Sequence, residues 1–181
     1  PINQWILWRL NQSVKIIDDG FEEFRLNDCA NELYSFMWNE YCDWYIEFAK
    51  ALIEQPEYAE QTQIVLMYVL EQALKLAHPL IPYVTEEIYQ HLPARVGVKK
   101  CDPLMLAVYP KHIESKETTD VAKVKLWKTA IDALRTFRGE NGISPKARPA
   151  ITFELVNAPD SKTVEQGMAY IKSVAQLGSL S

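Results

Sequence analysis

Three groups of residues have types and spacings that could do chemistry. Glu40, Asp43 and Glu47, in the stretch EYCDWYIEFAK, form an i, i+3, i+7 row of carboxylates. In one dimension that row resembles a metal or acid/base cluster. No H-x-x-E or E-x-x-H accompanies it, so the plainer reading is a solvated face, or acceptors for an arginine on a neighbouring element. Trp8, Asn11, Gln12 and Lys15 fall at i, i+3, i+4 and i+7. An aromatic plane, two amides and a cation are the groups that stack on and hydrogen-bond an unstacked RNA base, although a covered Trp beside a solvated polar face fits the same spacing. In the third group, Lys125, Lys128 and Arg135 flank the apolar row Val124, Trp127, Ile131 and Leu134, with Arg138, Lys146 and Arg148 following. These cations could grip phosphates, or only solubilise a helix.

Most catalytic classes leave no trace. The sequence holds neither G-x-G-x-x-G nor G-x-x-x-x-G-K-[ST], and no G-x-S-x-G elbow. The histidines, His78, His91 and His112, have no partner at ligand spacing, so no metal is expected. Cys29, Cys42 and Cys101 are odd in number and widely spaced, which fits thiols in a reducing compartment better than a disulfide framework. No apolar run reaches the roughly 20 residues of a membrane helix, and the first residues lack signal-peptide features, so a soluble chain is expected.

Net charge is −5 over 181 residues, which argues against coating nucleic acid by bulk electrostatics. The distribution is uneven. Residues 1 to 55 hold four Lys/Arg against ten Asp/Glu, whereas residues 123 to 148 hold seven against two. A polyanion contact should therefore be local, with the second half the better place for it.

The elements that must position these groups follow from apolar periodicity. Ile6, Leu10, Val14 and Ile17 share one face of a helix from Trp5 to about Asp18. Asn27 could cap a second, long helix in which Leu33, Met37, Tyr41, Trp44, Phe48 and Leu52 recur until Pro56. Its aromatics read as core. A third helix spans residues 59–77 and stops at His78-Pro79; a fourth starts near Pro82 and ends at Pro93. Short connections suggest an antiparallel bundle. Beyond it, LMLAVYP and ARPAITFELV are strand candidates, Thr119 could cap a helix running to Gly142, and a last helix covers roughly 161–176. That order suggests a small α/β module.

Five stretches, WILWRLNQSVK, FRLNDCANELYSFMWNEYCDWYIEFAK, HPLIPYVTEEIYQHL, LMLAVYP and LRTFRGENGISPKARP, resemble the successive blocks of the anticodon-binding region of the valyl-tRNA synthetases. The match covers nearly the whole chain, and EYCDWYIE is its most specific marker. The resemblance implies a mainly α fold: an antiparallel helix bundle of the class I synthetase anticodon-binding type over residues 1–93, then a small mixed α/β module over 94–181 leading toward a C-terminal coiled coil. It implies tRNA(Val), through its anticodon stem-loop, and an upstream catalytic domain as partners of a monomeric, cytoplasmic chain that meets no membrane. ATP-dependent aminoacylation and editing would lie upstream, so no cofactor, catalytic residue or metal is expected within these residues. Arg9, Asn11, Gln12 and Lys15, beside Trp8, and Lys50 at the end of the second helix are expected near the anticodon loop. Lys125, Lys128, Arg135 and Arg138 are expected on backbone phosphates. The rival reading is a helical protein-interaction module without RNA binding.

Overall fold

The computed structural model describes residues 1–93, 103–144, 147–152 and 158–180. Helices dominate: α1 (Ile2–Glu22), α2 (Leu26–Tyr34), a π-helical stretch (Ser35–Tyr45), α3 (Ile46–Ile53), α4 (Pro56–Ala77), α5 (Pro82–His91), a 3₁₀ turn (Leu104–Leu106), α6 (Thr119–Glu140) and α7 (Ala158–Val174). The described residues form two compact units, one of Ile6–Lys116 and one of Pro1–Trp5 with Glu117–Ser181. The boundary expected after Pro93 borders residues 94–102, which lie outside the described residues.

In the larger unit the expected stripe of α1 is buried at Ile6, Leu10, Val14 and Ile17. The helix ends with Phe24 in the left-handed region (φ 56°) and the Arg25 N–H donating to Gly20 O at 2.7 Å, a closure that gives one terminal carbonyl a partner. Gly20 matters for a different reason: a Cβ there would lie 2.6 Å from Cys29 Sγ, so its bare backbone lets α2 approach.

The long second helix exists as one run, α2, the π-helical stretch and α3 in succession, but two of its expected details are corrected. Its cap position is Arg25 and not Asn27, and no side chain there bonds the first turn. Phase is also different. Phe36 is buried to 1% exposure, while Leu33 and Met37 are only half-buried. Tyr41 stands five positions after Phe36, a spacing that an α-helix would rotate away from one face and that i→i+5 bonding restores. Tyr41, Trp44, Tyr45 and Phe48 are then buried, as the aromatic arc implies, with α3 packed on α4. The Tyr41 hydroxyl donates to Leu66 O at 3.0 Å, so its burial leaves no orphan group.

Proline sets the next boundaries. Pro56 and Pro82 begin α4 and α5, where a missing N–H costs nothing. After α5, LMLAVYP does not form the expected strand. Leu104 is instead buried with Leu74 and Tyr89 at a 3₁₀ turn, and its N–H donates to Glu86 Oε2 at 2.8 Å. No described strand lies beside it, so its apolar residues are used for packing and not for pairing.

In the smaller unit α6 begins at Thr118, whose side chain accepts from the Val121 N–H, one residue before the expected cap. Trp127 packs against α7 where Gly167 leaves no Cβ in the way, donates from Nε1 to Thr163 O at 2.7 Å and stacks on Tyr170. Strand content among the described residues is one parallel pairing of two residues, Ala150–Ile151 with Ser179–Leu180. Residues 153–157, the rest of the second strand candidate, lie outside the described residues. The expected α/β module is therefore corrected to a helix pair carrying a short bridge.

Burial holds the Tyr41 phenol up to about 12, above its ordinary 10. The neutral form is thus favoured by folding, so this contribution is complete below pH 10 and lost as pH rises through 12. Chemical denaturation across that window should show falling stability, and Tyr41→Phe should reduce the slope; an unchanged slope would place the alkaline loss elsewhere.

Candidate nucleic-acid interface

The candidate RNA-facing residues divide between the units: Trp8, Arg9, Asn11, Gln12, Lys15 and Lys50 in the larger, Lys125, Lys128, Arg135 and Arg138 in the smaller. Helical spacing brings Trp8, Asn11, Gln12 and Lys15 to one side of α1, as expected. Their side chains differ in what they are already doing.

Arg9 points into the bundle. Its Nη2 lies 2.7 Å from Glu32 Oε1, its Nη1 donates to Ser13 Oγ at 2.9 Å, and its Nε is 3.8 Å from Glu40 Oε1. The Ser13 hydroxyl also lies 2.6 Å from Glu32 Oε1, and the guanidinium sits 6.0 Å from the Phe36 ring centroid. Both Arg9 and Glu32 are mostly enclosed, with side chains 17% and 13% exposed. For one member the carboxylate row follows the plainer reading: Glu40 is an ion-pair partner of an arginine on a neighbouring helix. Glu47 accepts from Lys50 at 2.6 Å and Asp43 is exposed. Among the described residues no group of three or more His, Cys, Asp or Glu side chains could hold a metal ion.

Asn11 is saturated by its own chain. Its amide pairs with the backbone of Ile113 in both directions, Nδ2 donating to Ile113 O at 2.7 Å and Oδ1 accepting from Ile113 N at 2.9 Å. Nδ2 also donates to Ser115 Oγ at 3.0 Å, and His112 Nδ1 lies 3.0 Å from Asn11 O. The side chain thus imitates one residue of a β-ladder and ties down the segment before α6. Trp8 and Gln12 are half-buried, with the indole nitrogen of Trp8 enclosed. Lys15 is exposed, 2.8 Å from Asp19, whose hydrogen bond and charge raise its pKa.

On α6, Lys125 is exposed and 2.6 Å from Glu117, and Arg135 lies 4.0 Å from Asp132. Such surface pairs contribute little and separate readily for a stronger anion. The Lys128 ammonium lies 4.7 Å from the centre of the Trp5 ring. Arg138 is built in: it donates to Ala175 O at 2.6 Å and to Ser144 O and Ala147 O at 3.0 Å each, closing chain ends around α6 and α7. Lys146 lies outside the described residues.

Two features do not follow from apolar periodicity. Ser13 and Glu32 complete the Arg9 cage, a contact between residues far apart in sequence. Tyr34 and Trp38 form an exposed ring pair, centroids 6.4 Å apart and planes 10° from parallel. Their i, i+4 spacing on a helix was the available signal.

A helical bundle with an aromatic-lined core and polar and cationic groups on α1 and α6 is consistent with a nucleic-acid-binding module, and comparison with known proteins supplies the class. The model of the anticodon-binding domain of tRNA ligases matches residues 3–155, and the chain belongs to that family. Among individual proteins, it is similar to valine–tRNA ligases: 37% identical to that of Chromobacterium violaceum over 97% of this chain, 36% to that of Coxiella burnetii over 98%, and 35% to that of Geobacter sulfurreducens over 98%. These matches cover 19%, 20% and 20% of the respective relatives, so the chain spans about a fifth of their length.

Arg9→Ala should cost about 3 kcal/mol in urea denaturation, because two enclosed carboxylates would be left without their countercharge. Arg9→Lys should recover only part of it, since an ammonium cannot reproduce the planar fork. Asn11→Ala should cost about 1–2 kcal/mol and speed hydrogen exchange at the Ile113 amide. Exchange at the wild-type rate would mean that the amide pairing does not hold the segment.

Proposed function

We propose that this chain is the anticodon-binding part of a valine–tRNA ligase, a class I enzyme in which it recognises the anticodon stem-loop of tRNA(Val). The observation that carries the reading is the family match over residues 3–155, joined to valine–tRNA ligases that align along 97–98% of the chain. In this reading the chain itself holds no reactive centre and no cofactor. ATP-dependent activation of valine and its transfer to tRNA belong to an upstream catalytic domain of the same polypeptide, monomeric and cytoplasmic. No helix among the described residues is long and apolar enough to cross a membrane. The chemistry suits the task, since anticodon bases are single-stranded and can be splayed for stacking and edge hydrogen bonds.

The cations divide the work. Lys125 and Arg135 are exposed on α6, Lys128 is half-buried with its ammonium over the Trp5 ring, and all three are assigned to backbone phosphates. Lys15 and Lys50, exposed on the larger unit, are assigned to the neighbourhood of the loop, with Trp8 and Gln12 beside Lys15. Arg9, Asn11 and Arg138 are committed to internal contacts and serve the site by holding its scaffold.

Titration with the anticodon stem-loop of tRNA(Val), and with the same RNA carrying a changed middle anticodon base, tests the assignment. The native loop should bind more tightly, whereas equal affinity would confine these residues to phosphate or shape recognition. Replacing Lys125 and Arg135 by Ala should lower the salt slope by about one for each phosphate that is no longer neutralised, with the anticodon preference unchanged. An unaltered slope would return α6 to ordinary surface.

A further inference from the structure

The exposed residues between Asn27 and Asn39 are Asn27, Ala30, Asn31, Tyr34, Trp38 and Asn39, and none is charged. They lie in the acidic part of the chain, where ten carboxylates stand among the first 55 residues. Their neutrality has a structural cause. Glu32, within the same span, is turned away onto Arg9, as is Glu40 just beyond it, while Asp28 is paired with Arg25. Beyond the Arg25–Asp28 pair, whose side chains stay about half exposed, what faces water from Ala30 to Asn39 is a strip of two aromatic rings flanked by amides.

The rings are poorly covered for their size. Tyr34 is 66% exposed and Trp38 58% exposed, and their near-parallel planes lie side by side one helical turn apart. An i, i+4 ring pair adds only about 0.2–0.5 kcal/mol to a helix, which does not offset leaving an indole in water. The rings are also held in common orientation before any ligand arrives, so a third planar group would stack with little further loss of rotamer freedom. Asn31 and Asn39 bring amides to the same strip, as base edges require, with Asn39 Nδ2 donating to Ser35 Oγ at a long 3.5 Å. On α1 the corresponding aromatic and amide groups are half-buried or already bonded, at Trp8 and Asn11.

We propose that Tyr34 and Trp38 form a stacking platform for an unpaired nucleobase of the tRNA anticodon loop. This assignment rests on the anticodon-binding reading and gives it a place on α2 and the π-helical stretch. With no cation in the strip, the platform contributes through the base and not through phosphate.

The test measures affinity of the wild-type chain, Trp38→Ala and Trp38→Phe for the anticodon stem-loop at several salt concentrations, with a series of RNAs made abasic at one loop position each. Trp38→Ala should weaken binding roughly tenfold, by the same factor at every salt concentration, and Trp38→Phe should recover most of it. One abasic RNA should bind wild type and Trp38→Ala alike, because the base that the indole holds is gone. If Trp38→Ala binds the intact RNA as wild type does, or no abasic position abolishes the difference, the platform is overturned and the ring pair is left to a protein surface, with anticodon binding intact. If wild type binds no anticodon stem-loop at all, the anticodon-binding reading falls and the platform with it.

Discussion

The larger unit turns on one guanidinium. Arg9 draws Glu32 and Glu40 toward α1, from α2 and from the π-helical stretch, with Ser13 as a further acceptor and Phe36 below. An enclosed charge of this kind is costly unless its partners are fixed, so the cage specifies how the two helices meet more than it stabilises them. It also redistributes charge. Two carboxylates that would otherwise lie on the surface are drawn onto Arg9, and the exposed residues from Ala30 to Asn39 are left uncharged.

Elsewhere, too, side chains replace what regular secondary structure would supply. The Asn11 amide pairs with Ile113 as a strand residue would, and Arg138 gathers three carbonyls from irregular backbone. Both residues have the types expected of RNA contacts. Their positions give them a different duty, which is to fix irregular backbone around rigid helices so that other groups can be presented with definite geometry.

Much of the fold was legible because it is local. The α1 stripe, the aromatic arc from Tyr41 to Phe48 and the boundaries at Pro56, Pro79 and Pro82 follow from spacing and from proline chemistry. What was not legible depends on partners distant in sequence or on phase. Arg9 looked like an RNA contact because Glu32, 23 residues away, could not be placed opposite it. Met37 looked more buried than Phe36 because an α-helical wheel has the wrong period there. LMLAVYP carries apolar residues of strand type, but burial of Leu104 against Leu74 and Tyr89 decides its shape. On the site itself, the sequence offered the right residue types, aromatic rings, amides and lysines, and could not say which of them other contacts had already claimed.

The π-helical stretch has a consequence for how such a chain can change over time. Widened turns are equivalent to residues inserted into an α-helix, so Ser35–Tyr45 holds slack that an ordinary helix lacks. Losing one residue between Phe36 and Tyr41 would turn their i, i+5 spacing into i, i+4, which regular α-helix keeps on one face, so the turn could tighten without breaking the run or rotating the side chains beyond it. Trp44, Tyr45 and Phe48 would then keep their places in the core. The segment can thus absorb a one-residue change of length that would put an ordinary α-helix out of phase by about 100°.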